Sequence, residues 1–186
     1  APGSLMIDCF LRANYTSDSN AMMAGFLREF RTFEQFFGNS TGAENLEAIA
    51  SRMIDAVNNG PFSLWDTNSS DHYITNRNLD KSTRDFVDYD SNLIAIANNV
   101  ADDEKAKAIL RRIDAGFCTH ARPTFVSEVW YGPDDTLPIG NTGDSWTAMG
   151  RIAWFDAQAR RRMGQLDVFN NEIIDPIRND VVKYTW

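Results

Sequence analysis

Cysteine and histidine are scarce in this chain of 186 residues, two of each; basic residues are outnumbered 18 to 26 by acidic ones, and no apolar run is long. Each shortage excludes something. His72 and His120 have no clustered third ligand, so no metal is expected and hydrogen-bonding roles fit them better. Cys9 and Cys118 lack CxxC or His spacing, which removes zinc and thiol-redox chemistry. They read either as two buried thiols or as a disulfide closing a loop of about a hundred residues. A formal net charge of −8 repels phosphate backbones and anionic lipid, so neither nucleic acid nor a membrane is an expected partner. No segment approaches the roughly 20 apolar residues of a membrane-spanning helix. Ala1–Met6 has neither the basic start nor the apolar core of a signal peptide, so any export signal is expected to have been removed.

With 43% hydrophobic and 24% charged residues, the chain has the make-up of one ordinary globular domain over residues 1–186, with no cofactor motif. Three sequons, at Asn14, Asn39 and Asn68, fall in expected loops or helix ends and point to a secreted, N-glycosylated protein.

Hydrophobic periodicity predicts a mainly α-helical fold of six helices. The first carries Met22, Phe26, Phe30, Phe33 and Phe37 as a core-facing stripe and stops at Gly38. The second opens on a Thr41…Glu44 capping box, with a stripe of Leu46, Ile49, Ala50, Met53, Ile54 and Val57. A third, Ser91 to Val100, is apolar nearly all round and should be buried on several sides. The fourth starts near Asp102, with Ala106, Ile109, Leu110 and Ile113 inward, Arg111 and Arg112 near its end, and Gly116 as stop. Trp146, Met149, Gly150, Ala153, Trp154 and Ala157 mark the fifth, which runs to Gly164; Leu166, Phe169, Ile173, Ile177, Val181 and Tyr184 mark the sixth, with Pro176 as a kink. The apolar run Val181–Trp186 has no cap, so the domain is expected to be cut there.

Short connections join these helices into three antiparallel αα-hairpins, separated by two long linkers expected at the same end of the array. Linkers of that length normally carry function. The first holds Trp65, Asp66, Asp71, His72, Tyr73, Asp88 and Asp90; the second holds His120, Arg122, Glu128, Trp130, Tyr131, Asp134 and Asp135. Short strands at Asp71–Thr75 and Thr124–Tyr131 are expected to stiffen them.

Aromatic rings beside carboxylates suit a sugar ligand, since the rings pack on its C–H face while polar side chains bond its hydroxyls. Cleaving a glycosidic bond needs two carboxyl groups. Asp88 and Asp90, at the mouth of the third helix, are candidates for catalysis, although at least one residue of such a pair is more often a helix cap. Glu128 between apolar neighbours is a candidate acid, or a solvated strand residue. Trp65, Asp66, His72, Tyr73, His120, Arg122, Trp130 and Tyr131 are candidate substrate-binding residues, with core burial the alternative for the aromatics.

The run Asp85-Phe86-Val87-Asp88-Tyr89-Asp90-Ser91-Asn92-Leu93-Ile94-Ala95-Ile96-Ala97 resembles the stretch that opens an inner helix in six-hairpin glycosidase-like proteins found in fungi. The following Ala101–Leu110 helix and Gly140-Asn141-Thr142-Gly143-Asp144-Ser145-Trp146 are similar too. The resemblance implies an (α/α)6 toroid with its active site at the long-loop end, and an inverting glycoside hydrolase. This chain supplies three of the six hairpins, so the barrel would be completed by the remainder of the chain or by another subunit. Oligosaccharide or polysaccharide is then the implied partner. A non-catalytic carbohydrate-binding or assembly module is the alternative. A polysaccharide lyase using His120, Arg122 and Tyr131 comes last, because the acidic charge disfavours a uronate substrate.

Overall fold

Among the described residues, the shortest α-helix is the most deeply buried. The computed structural model describes residues 13–115, 128, 150–174 and 178. Within them the chain runs β1 (Tyr15–Thr16), α1 (Ser17–Phe36), α2 (Ser40–Asn59), β2 (Asn76–Arg77), β3 (Thr83–Arg84), α3 (Tyr89–Ala97), α4 (Asp103–Ala115) and α5 (Gly150–Arg162), then a π-helical segment, Val168–Ile174. Every residue of α3 from Tyr89 to Ile96 is buried. A helix apolar all round needs cover on all sides. Here α1 and α5 flank it, α4 touches it more lightly, α2 lies along α1, and the π-helical segment lies along α5. The result is a row α1, α3, α5 with the intervening helices set outside it.

Local chemistry explains most of the boundaries. Gly38 and Gly164 follow α1 and α5 with φ of +77° and +70°, the left-handed stop that glycine adopts without a Cβ clash. Ala106, Ile109, Leu110 and Ile113 are the buried residues of α4, as its periodicity predicts. The cap of α2 differs from expectation: Asn39, not Thr41, occupies the N-cap, and its Oδ1 accepts from the Gly42 N–H at 3.0 Å. Asn ranks above Thr as a cap, and here it starts the helix two residues earlier.

The largest departure is α1. Its expected core stripe is exposed from Phe26 onward, with Phe26 at 60%, Phe33 at 59% and Phe37 at 77%, while Met22 is half-buried against the core. The buried face is instead Ser17, Asp18, Ala21, Ala24 and Gly25. Small residues let α1 approach the end of α3 closely; a Cβ on Gly25 would meet the Asn98 side chain at 2.2 Å. Trp154 likewise points outward from α5, 61% exposed, and Ile49 of α2 is 43% exposed.

The linker between α2 and α3 is pinned rather than free. β1, β2 and β3 form a small antiparallel sheet, pairing Tyr15 with Arg77 and Asn76 with Arg84. Ser17 at the start of α1 also donates to the linker, from its amide to the Thr75 carbonyl and from its hydroxyl to the Ile74 carbonyl. The strand expected at Asp71–Thr75 is a single bridge between Trp65 and Tyr73, and pairing starts at Asn76. Apart from Glu128, the strand expected at 124–131 lies outside the described residues, as do Gly116, Trp146, Met149, Pro176, Ile177, Val181 and Tyr184.

Arg160 ties α5 to α4. The side chain is fully buried, with Nε donating to Asp156 at 2.9 Å, Nη1 and Nη2 to Asp114 at 2.9 and 2.6 Å, and Nη1 also to Gln165 at 2.7 Å. Arg162 extends to α3, where Nη1 donates to the Ile96 carbonyl at 2.7 Å, a second bond on an oxygen that also accepts from the Asn99 N–H at 3.0 Å.

Candidate functional site

Two backbone positions in the linker that leads to α3 are held in a conformation that side chains resist. Val87 has φ +50° and Ser70 +55°, and a β-branched residue in the left-handed region is costly unless its surroundings fix it. Both are fixed. The Val87 N–H donates to Asp85 Oδ1 at 3.0 Å, and its carbonyl accepts from the Glu128 N–H at 3.4 Å. The Ser70 N–H donates to the Asp66 carbonyl at 3.0 Å.

Asp66 organises the turn that carries Ser69. Its carboxylate accepts from the amides of Asn68 and Ser69 at 3.1 and 3.0 Å. The Ser69 hydroxyl stands 2.6 Å from both Asp66 Oδ2 and Asp71 Oδ1, and with one proton to donate it serves one at a time. Burial works to raise the Asp66 pKa, and the Ser69 hydroxyl and turn amides outweigh it, leaving Asp66 below its ordinary value.

Behind Asp71 lies His72, only 4% exposed. Its Nδ1 is 2.7 Å from Asp71 Oδ1 and its Nε2 is 2.6 Å from Asp85 Oδ2. Asp85 is fixed in turn by the amides of Thr75 and Val87. Burial alone would push the imidazolium down, but the bonds to Asp85 and Asp71 prevail and hold His72 above its ordinary pKa, against the nearby Arg112 charge. Asp71 is driven the other way: burial works against its charge, yet Ser69, His72 and Arg112 together bring it down to about 2.

Arg112, in the last turn of α4, joins the two linkers. Nη1 donates to Asp71 Oδ1 at 2.7 Å, while Nε and Nη2 donate to the two oxygens of Glu128 at 3.0 and 2.9 Å. Glu128 Oε1 also accepts from the Tyr89 hydroxyl at 2.8 Å. Such a forked, charge-assisted pair fixes position as well as charge. The hydrogen bonds to Glu128, with the bond to Asp71 and the charge of both carboxylates, outweigh burial and hold the Arg112 guanidinium still more firmly protonated.

In front of these groups opens a cavity of about 500 Å³, lined by Ser69, Ser70 and Asp71 of the linker, Ala108, Arg111, Arg112 and Ala115 of α4, and Glu128. Its wall offers hydroxyl, carboxylate and guanidinium groups over a small apolar floor.

The sequence-selected residues divide around this cavity. Glu128 lines it, and its carboxyl partners are Arg112 and Tyr89 rather than an apolar surround. Asp66 and His72 stand behind it, positioning Ser69 and Asp71. Asp88 and Asp90 lie in the core, 1% and 3% exposed. The Asp88 backbone occupies the N-cap of α3, but its side chain caps no amide and accepts instead from the Ser91 hydroxyl at 3.2 Å. Tyr73 is wholly buried, its hydroxyl donating to Asn58 at 2.8 Å, and desolvation raises its pKa. Trp65 meets Tyr73 edge-on at 5.0 Å beneath Lys105 Nζ and does not line the cavity. His120, Arg122, Trp130, Tyr131, Cys9 and Cys118 lie outside the described residues, as do Asp134 and Asp135. The three sequon asparagines, Asn14, Asn39 and Asn68, are exposed.

Sequence reading missed Arg112 and Arg111, which it assigned to the helix dipole, and also Asp85 and Ser69. A tandem of arginines on the last turn before a functional linker was the available signal. Compared with known proteins, the chain matches no family model, and no curated protein is detectably similar to it.

Proposed function

We propose that the cavity between Asp71, Arg112 and Glu128 binds the hydroxyls of an oligosaccharide, as part of the substrate cleft of a secreted glycoside hydrolase. The observation that carries the reading is the convergence on Arg112 of acidic side chains from two separate linkers, at an open polar cavity within the ordinary size range of ligand sites, about 300–1,000 Å³. Fixed carboxylates and guanidinium groups suit vicinal hydroxyls, which both donate and accept. The row α1, α3, α5, with α2 and α4 outside it, supports the reading of three hairpins of an (α/α)6 toroid, completed by the remainder of the chain or by another subunit. Exposed sequon asparagines support secretion and N-glycosylation.

A non-catalytic carbohydrate-binding module is the second reading, favoured by the state of the cavity carboxylates. Asp71 at about 2 is ionised throughout the working range, and Glu128 accepts from donors on both oxygens. A glycosidase needs a protonated carboxyl group as well.

Calorimetric titration against a panel of neutral oligosaccharides, with assay of released reducing ends, tests both readings. Arg111→Gln, which leaves the Asp71–Arg112–Glu128 bonds in place, should weaken binding severalfold, and Arg112→Met should weaken it about tenfold or more. Turnover abolished by Glu128→Gln, Asp88→Asn or Asp90→Asn would establish the hydrolase. Binding without turnover would leave the module, and no binding by any panel member would sink the glycan reading.

A further inference from the structure

We infer that two copies of this chain associate through the outer face of α1, packed antiparallel about a two-fold axis. Met23, Phe26, Phe30, Phe33 and Phe37 follow one another at steps of three, four, three and four, the seam of a coiled coil. They are exposed by 48, 60, 43, 59 and 77%, and Phe36 beside them by 82%. At about 3.6 residues per turn, this seam lies opposite Ala21, Ala24 and Gly25, the buried face of α1. It is therefore the open edge of the row α1, α3, α5.

The area matches a stable pair. Taking about 200 Å² for a phenylalanine side chain, the five exposed rings leave on the order of 600 Å² of apolar surface, and Met23 brings it towards the roughly 800 Å² that each partner contributes to a specific interface. A monomer's largest apolar patch is usually no more than about 300–600 Å². The rings already stand in order: Phe26 and Phe30 are stacked at 5.9 Å, and Phe36 meets Phe37 edge-on at 5.2 Å.

Charge selects the orientation. Glu29 and Glu34 flank the seam on opposite sides. In a parallel pair Glu29 would face the partner's Glu34, a like-charge contact. Antiparallel packing, with Phe30 against the partner's Phe33, sets Glu29 beside the partner's Phe36 and Glu34 beside the partner's Leu27. The contact also covers Phe36, the most exposed ring. An anionic lipid surface fits poorly beside those two carboxylates in a chain of net charge −8. The surface lies apart from the glycan cavity, so the inference does not rest on glycan binding; it is an alternative to a toroid closed at this edge by further hairpins of the same chain.

Sedimentation equilibrium of the 186-residue chain, run both with and without its N-glycans from about 1 to 100 µM because Asn39 stands two residues beyond Phe37, is the test, and the pair should form in both. The expected mass at the upper end is twice 21.0 kDa for the glycan-free chain. Phe30→Asp and Phe33→Asp should each weaken the pair at least about thirtyfold, as loss of a central aromatic anchor does, while far-UV circular dichroism stays unchanged because both side chains are exposed in the folded monomer. Glu29→Lys should leave dimerisation within about threefold; a tenfold strengthening would reveal the parallel pair and overturn the antiparallel one. A mass of 21.0 kDa at every concentration, or a dimer indifferent to the Phe variants, would overturn the inference and return this face to a different helical partner.

Discussion

His72 is bonded through both ring nitrogens to carboxylates, and at the scale of single residues that arrangement governs how the site answers pH. With its pKa above the ordinary 6.5, the stability His72 contributes is complete below pH 6.5 and is lost as pH rises through the raised value. Asp71 has the opposite sign. Held at about 2 against an ordinary 3.8, it contributes stability above pH 3.8 that is lost as pH falls towards 2. Together these two groups place maximum stability between pH 3.8 and 6.5. Thermal melts across pH should show that plateau, and His72→Gln should flatten the alkaline limb and, because His72 is also one of the groups that hold Asp71 down, weaken the acid limb in part while Ser69 and Arg112 keep the rest. An alkaline decline undiminished in His72→Gln would show that other groups control it. Sequence reading selected His72 and Asp71 as linker chemistry, yet could not assign their partners, because Asp85 and Arg112 lie 13 and 40 positions from His72 and meet it only through the fold.

At the scale of elements, α2 shows how a local signal can be read in the right place with the wrong residue. Thr41 and Glu44 have capping-box spacing, but Asn39 reaches the Gly42 amide first and starts the helix at Ser40. Removing that cap in Asn39→Ala should cost about 1 kcal/mol, measured by urea unfolding. Asn39 also donates from Nδ2 to the Glu34 carboxylate, so an Asp there would meet a like charge; Asn39→Ser keeps an accepting oxygen without that charge and should cost less than Asn39→Ala, and as both variants lose the Glu34 bond and the sequon, the difference between them reports the cap. Sequence periodicity was reliable for α3 and α4, whose apolar positions are the buried ones. It failed for α1 because periodicity marks an apolar stripe without saying what covers it. The Ala21, Ala24 and Gly25 face won the contact with α3 by allowing closer approach.

At the scale of the whole molecule, the fully buried Arg160 joins α5 to α4 across 46 positions of sequence. Replacing it in Arg160→Met takes the guanidinium from the buried Asp156 carboxylate and should destabilise the chain by about 3–5 kcal/mol, lowering the midpoint of denaturant unfolding. The pair of changes Arg160→Met and Asp156→Leu should recover much of the loss, since an apolar pair avoids the uncompensated charge. Recovery no better than the single variant would assign the loss to shape and not to charge. By itself the sequence determined helices α1 to α5 and the stops at Gly38 and Gly164, because these follow from contacts within a few residues along the chain. Tertiary structure alone decided that the phenylalanine stripe faces outward, that Asp88 and Asp90 are buried, and that Asp71 and Glu128 share Arg112. Each of those outcomes depends on which distant surface arrives to desolvate or neutralise a side chain, and residue spacing carries no record of that.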